Sequence, residues 1–214
     1  MERLKDEYLQ TIEKVVPLFG KNILEIGCGN GSRSVEIAKK CSHLTAMEPD
    51  ADLLELAKSH NASQNIAYVL GKAEKLGFPN MNFDTVLFTL SFHHVPIEKM
   101  TTAIDEAVRV TKKGGNITFL EPAEEGTFFD AEILFDACDG DERQEKKTAY
   151  NTLKHHSSYE EVAELPDETI FRFDSIGDFI KVMTPKKNVE AMEKFLKENN
   201  YTLRASRRIS IFKV

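Results

Sequence analysis

The strongest signal along the chain is FDTVLFTL at residues 83–90, apolar at nearly every position. A strand of that kind is buried on both faces, as in a parallel sheet covered by helices. Shorter apolar runs at 22–26, 43–47, 66–70 and 116–120 also read as strands. Between them the spacing turns helical. Residues 32–40 and 52–59 read as helices, the second opened by Pro49 and Asp50. Ile97, Met100, Ile104, Ala107 and Val108 form one helical stripe, ended by Gly114 and Gly115. Leu4, Tyr8, Ile12, Val15 and Val16 give helical spacing over 2–16, and Pro17 closes it. Beyond Pro122 the pattern loosens. Phe128, Phe129, Ile133, Leu134 and Phe135 predict an amphipathic helix, and 154–166 a polar loop with some helix. Residues 169–173 read as a strand, 188–198 as a helix and 208–214 as a closing strand.

Strands alternating with helices at this spacing predict a doubly wound α/β sheet. The 214 residues suffice for one sizeable core and are too few for two comfortable domains. The reading is therefore a single domain: an N-terminal helix in 1–20, a core in 21–122, an insertion in 123–167 and completion of the sheet in 168–214. No apolar run approaches the roughly 18–20 residues of a membrane span, and the charged start MERLKDEYLQ is not a secretory signal. Cys28, Cys41 and Cys138 lack any CxxC spacing, which points to a reduced cytoplasmic protein without a zinc site or disulfide scaffold.

Charge modifies the picture in one place. The net charge of −7 argues against nucleic acid as the main partner. Residues 121–145 hold ten acids against one base, Arg143. This segment reads either as a solvated helix face or as an acidic rim favouring a cationic or neutral substrate.

The candidate chemistry begins at ILEIGCGNG, residues 23–31. In a doubly wound sheet, ligands bind beyond the carboxyl ends of the strands, near the switch in strand order. Gly27, Gly29 and Gly31 lie just past such an end, where the backbone turns tightly and a ligand approaches closely. The spacing is GxGxG; the dinucleotide pattern GxGxxG would need its third glycine at Ser32. Glu48 ends the second strand of this core, where a carboxylate accepts both hydroxyls of a ribose and repels a pyrophosphate. A nucleoside fits better than a dinucleotide, which disfavours a nucleotide-dependent dehydrogenase.

Five motifs in order over about residues 20–122 then resemble the class I S-adenosylmethionine-dependent methyltransferases, in the branch with ubiquinone and menaquinone biosynthetic enzymes. They are ILEIGCGNG, AMEPD, GKAEKLGFP at 71–79, FDTVLFTLSFHHV at 83–95 and EAVRVTKKGGNITFLEP at 106–122. The resemblance implies a Rossmann-like seven-stranded sheet whose last strand is antiparallel, with a partly helical insertion after the fifth strand. It implies S-adenosylmethionine as cofactor. Glu25 would lie near the cofactor's amino group, and Gly27, Cys28, Gly29 and Gly31 around its methionine and ribose. Glu48, followed by Pro49, would take the ribose hydroxyls, Ala73 would offer its amide to the adenine, and Thr89, Leu90 and Ser91 would line the methionine end. Lys72 stands where the family often has Asp, and a lysine accepts nothing. Glu74 or a backbone carbonyl is left to receive the adenine amino group.

Methyl transfer needs alignment above all, and a protonated acceptor also needs a base. His94, His93 and Glu121 are the candidates, beside the expected methyl position. Each has a structural alternative, the histidines as packing or capping groups and Glu121 as an acceptor for loop amides. Cys28 reads as a small loop residue, Tyr8 as a core tyrosine or a cover over the cofactor, and His155 and His156 as surface or lid residues. Phe128, Phe129, Leu134 and Phe135 either wall an apolar pocket or pack their helix on the sheet. The leading reading is methyl transfer to a small molecule. Methylation of a protein and non-catalytic cofactor binding are the alternatives; SFHHV stands where amide-nitrogen methyltransferases carry Asn-Pro-Pro-Tyr, which lowers the former.

Overall fold

The computed structural model describes residues 1–214. A strand β1 (Glu2–Asp6) and a short helix α1 (Tyr8–Glu13) lead into β2 (Asn22–Ile26), α2 (Ser32–Ala38) and β3 (His43–Glu48). Then come α3 (Ala51–His60), β4 (Ile66–Leu70), β5 (Phe83–Thr89), α4 (Met100–Val110) and β6 (Thr111–Pro122). Two helices, α5 (Thr127–Phe135) and α6 (Arg143–His155), precede β7 (Glu160–Arg172). Helices α7 (Ile176–Met183) and α8 (Met192–Glu198) and strand β8 (Thr202–Lys213) complete the chain.

All eight strands form one sheet in the order β1-β7-β8-β6-β5-β2-β3-β4. Strands β4, β3, β2, β5 and β6 run parallel, while β8, β7 and β1 join antiparallel. The chain builds outward from β2 to β4, then returns to β5 on the other side of β2. That reversal puts the carboxyl ends of β2 and β5 side by side, with Ile26 in register with Phe88. A crevice at that point is where open α/β sheets bind ligands.

Alternation along β2 sends Ile23 into one apolar cluster and Leu24 and Ile26 into another, on the opposite face. On the second face α4 buries Met100, Ala103, Ile104, Ala107 and Val110 at helical spacing. Phe119 is the hub there: it stacks on Phe88 at 4.7 Å and meets Phe92 edge-on at 5.0 Å. The other face carries Tyr8, Ile12, Ile37 and Leu54. A third cluster, including Phe135, Phe173, Phe179 and Leu196, ties α5, α7 and α8 to the ends of β7 and β8.

Three elements differ from the sequence reading. The helix expected over 2–16 is a strand and a shorter helix. Its first five residues, ERLKD, offer only Leu4 as an apolar position, and Leu4 is exposed. Their backbone pairs with β7 at the sheet edge, where charged side chains are tolerated. The loop expected over 154–166 is the end of α6 and the first half of β7. Pro166 sits there because β1 pairs only with Thr169–Arg172 of that strand, leaving residue 166 on an open edge. The helix expected to reach Gly114 stops at Val110, and β6 starts at Thr111, with Gly114 turning at φ +72°. The sheet thus has eight strands where seven were expected. No helix is long and apolar enough to cross a membrane.

Phe119→Ala removes the ring on which Phe88, Phe92 and Phe212 converge. It should lower unfolding free energy by about 3–5 kcal/mol, read from urea denaturation; a loss under about 1 kcal/mol would deny it the role of hub.

Candidate functional site

The glycine loop is shaped by close approach. Gly27 has φ +75°, and a Cβ added there would stand 2.3 Å from the Cβ of Ser91. No side chain fits. The loop of β2 and the turn after β5 can therefore touch, and Ser91 Oγ donates to the carbonyl of Ile26 at 2.6 Å. The amides of Gly27 and Cys28 both donate to Met47 O, at 2.8 and 3.0 Å, which draws in the end of β3. Gly31 closes the loop at φ +80° under the Tyr68 hydroxyl, 2.6 Å from its ideal Cβ.

Glu25 lies behind this loop, fully buried. Ser34 Oγ donates to one oxygen at 2.6 Å and Thr89 Oγ1 to the other at 2.8 Å, joining β2 to α2 and β5. Burial pushes its carboxyl above the ordinary carboxylate range, against those two hydrogen bonds. The cavity wall consists of other residues, so Glu25 supports the loop from beneath.

The cavity measures about 510 Å³, within the roughly 300–1,000 Å³ of small-molecule sites. Gly27, Cys28, Gly29, Glu48, Pro49, Lys72, Ala73, Glu74, Thr89, Leu90, Ser91 and His94 all line it. Glu25, Gly31, His93 and Glu121 do not. Glu48 accepts from the amide of Gly29 at 2.8 Å and from that of Asp50 at 3.2 Å, so loop and strand end share one carboxylate. The Cys28 thiol is pushed up to about 12, by burial first and then by Glu25 and Glu48, which suppresses any nucleophilic thiolate. Arg33, Leu53, Val95 and Pro96 are wall residues that the sequence reading missed. Arg33 did carry a signal: a cation in the first turn of a helix opposes the helix dipole.

After β5 the backbone turns at Leu90, whose φ of +58° is rare for a side chain of that kind. The 3-10 turn that follows, Phe92–His94, is held from below by Glu121. Its carboxylate accepts from the amides of Ser91 (3.1 Å), Phe92 (2.9 Å) and His93 (3.2 Å), and contacts His93 Nδ1 at 2.5 Å. Both oxygens are thereby engaged, and Glu121 acts as a clamp on the turn. His93 is buried, while His94 is half-exposed with Nδ1 3.2 Å from Glu142. The hydrogen bond that His94 donates to Glu142 raises the His94 pKa against the effect of burial. Glu142 is held down to about 2: burial pushes it up, and His94, His93 and Lys146 together outweigh that.

A second cavity of about 200 Å³ adjoins the first, with Arg33, Leu90 and His94 on the walls of both. Phe128 and Phe129 of α5 wall it, whereas Phe135 is buried in the third cluster and Leu134 points outward. The acidic segment is split. Glu125, Glu132, Asp139 and Glu142 line this cavity, Glu132 and Glu142 pairing with the buried Lys146 at 3.3 and 3.4 Å, while Glu124 and Asp130 are exposed away from it. His93, His94 and Glu142 bring ligand atoms within 4.8 Å of one another, a donor set that suits a transition metal. In this structure Lys146 and His94 already satisfy the carboxylate. Tyr8, His155 and His156 line neither cavity.

A family model described as "Methyltransferase domain" matches residues 24–119, which hold the glycine loop, Glu48 and the turn after β5. A ubiquinone/menaquinone biosynthesis C-methyltransferase, UbiE of Rickettsia bellii, is 32% identical over 132 residues, covering 56% of this chain and 51% of that one. The chain is thus similar, over residues 24–119, to the S-adenosylmethionine-dependent methyltransferases.

Two solved structures share the fold of this chain. One is the N-methyltransferase NodS of Bradyrhizobium japonicum, in complex with S-adenosyl-L-homocysteine: TM-score 0.59, 15% identity, coverage 97% of this chain and 85% of that one. The other is the [4+2]-cyclase SpnF: TM-score 0.63, 15% identity, coverage 97% and 80%. The fold alone therefore does not fix the reaction. The chain spans about half the length of the curated relatives it matches. The methyltransferase cofactor, S-adenosylmethionine, suits the donor set of the larger cavity, which has an acid at the end of β3, a backbone cradle without side chains at Gly27 and Gly29, and an apolar side of Val95 and Pro96.

Glu25→Gln tests the buried carboxylate. An acid whose folded pKa is raised costs stability as pH rises from its unfolded value toward its folded one. The free-energy difference, variant minus wild type, should therefore increase with pH upward from about 4.5. Urea unfolding at successive pH values reads it; a flat difference would mean that Glu25 titrates normally.

Proposed function

We propose that this chain binds S-adenosylmethionine in the larger cavity and transfers its methyl group to a small molecule held in the second. The observation that carries the reading is the meeting of the two cavities at the end of β5, where Leu90 and His94 stand on both walls. The second pocket, at about 200 Å³, has room for a small acceptor group.

Glu48 takes the ribose hydroxyls with the oxygen capacity left over from Gly29 and Asp50. The amide of Ala73 faces the adenine, and Glu74 supplies the acceptor that Lys72 lacks. Thr89, Leu90 and Ser91 form the methionine end. The bound cofactor supplies an electrophilic methyl group on a sulfonium. The chain's own contribution is alignment: Glu121 fixes the turn, the turn fixes His94, and the left-handed Leu90 sets the gap between the two cavities. His94 receives the proton of the acceptor, and Glu142 stabilises the imidazolium that results. His93, buried and bound to Glu121, positions the turn.

Calorimetry with S-adenosylmethionine and with S-adenosylhomocysteine tests the cofactor site, and micromolar binding is expected. Glu48→Ala should weaken it by about 10- to 100-fold. Unchanged affinity removes the ribose role from Glu48.

The base assignment predicts a pH profile. His94 must be neutral to accept a proton, so turnover should fall as pH drops through its raised pKa. Glu142→Gln removes the group that raises it, and the acid limb should move to lower pH. His94→Ala should cost about 100-fold or more in kcat. An unmoved limb in Glu142→Gln would assign the base elsewhere.

A further inference from the structure

The second cavity carries four acids, Glu125, Glu132, Asp139 and Glu142, and two arginines, Arg33 and Arg207. Glu132 and Glu142 pair with Lys146, and Glu142 also with His94. Arg207 of β8 is 3% exposed and lines this cavity. Its Nε donates to Asp167 at 2.7 Å and its Nη2 to Asp6 at 2.5 Å, while Nη1 is buried with no partner. Arg33 lines both cavities, and its Nε is likewise buried without a partner. A third unmet donor, the Tyr8 hydroxyl, lies fully buried beneath, its ring 5.7 Å from the Arg207 guanidinium. Buried donors normally find acceptors, and charged ones most of all. Asp6 Oδ2 also lacks a hydrogen bond there but lies 2.9 Å from Arg3 Nη1, and the two orphaned guanidinium nitrogens belong to residues of the cavity wall, which marks a place for a further acceptor. The remaining wall is aromatic: Phe128 and Phe171 stand 5.2 Å apart, with Phe129 beside them.

We propose that the acceptor molecule carries an oxyanion, a carboxylate or a phosphate, on an apolar body, and that Arg33 and Arg207 hold that oxyanion. Guanidinium forks match both anions in geometry. The acceptor is preferred to the cofactor as its source because Arg207 lines the second cavity only. Of the four acids of the acidic segment that line the cavity, Glu132 and Glu142 are paired with Lys146 and His94, so they do not offset the arginines.

The inference rests on the methyltransferase reading, and one experiment separates the two. The full chain is saturated with S-adenosylhomocysteine, and benzoate, phenyl phosphate and benzylamine are titrated by ligand-observed NMR. Benzoate or phenyl phosphate should bind at least about 10-fold more tightly than benzylamine, and the tighter of the two names the oxyanion. Arg33→Gln should abolish that preference while S-adenosylhomocysteine still binds. Equal or tighter binding of benzylamine by the wild type overturns the inference without any variant. An Arg33→Gln protein that loses S-adenosylhomocysteine and keeps benzoate overturns it too, assigning Arg33 to the cofactor's own carboxylate. If S-adenosylhomocysteine fails to bind the wild type, the methyltransferase reading falls first and the inference with it.

Discussion

The arrangement of both cavities hangs on the carboxylate of Glu121. It stands at the end of β6 and gathers three consecutive amides from the turn after β5. A free carboxylate in a nearly buried place is costly, and so are three unpaired amides. Each answers the other, and the His93 ring completes the set. With the turn held, Leu90 keeps its left-handed backbone and Ser91 stays against Gly27. Those two contacts are what bring the glycine loop and the histidines into one crevice.

The parallel core was legible because its signals are local. A run such as residues 83–90 is buried on both faces whatever surrounds it, and a glycine loop after a strand has few uses besides close approach. Glu48 was legible for the same reason, as an acid at a strand end. The second cavity was not, because chain segments far apart build it. Phe129 comes from α5, Phe171 from β7 and Arg207 from β8. The eighth strand was invisible for a different reason: ERLKD enters the sheet by backbone pairing alone, and its side chains carry no alternation that favours a strand.

Glu121 and the acidic segment also mark what residue type leaves undecided. A carboxylate beside two histidines reads as a catalytic group until its hydrogen bonds are counted. Ten acids in one stretch read as one feature, yet the fold sorts them by partner. Glu132 and Glu142 meet Lys146, Glu121 meets backbone amides, and Asp141 meets Arg143 on the surface. Charge in sequence is a sum, whereas charge in a site is a set of pairs.

The link between Arg207 and Asp6 spans 201 positions of the chain. Contacts between such distant segments are the slow ones to form, since the entropy of closing the loop must be met before any contact repays it. The parallel strands β2 to β6, by contrast, connect through neighbouring segments. The larger cavity is built from segments closer in sequence, whereas the Arg207 wall of the second cavity needs the chain's two ends together. The two halves of the site therefore differ in the sequence separation of the contacts that build them, shorter for the crevice at β2 and β5 and nearly the whole chain for the wall at Arg207.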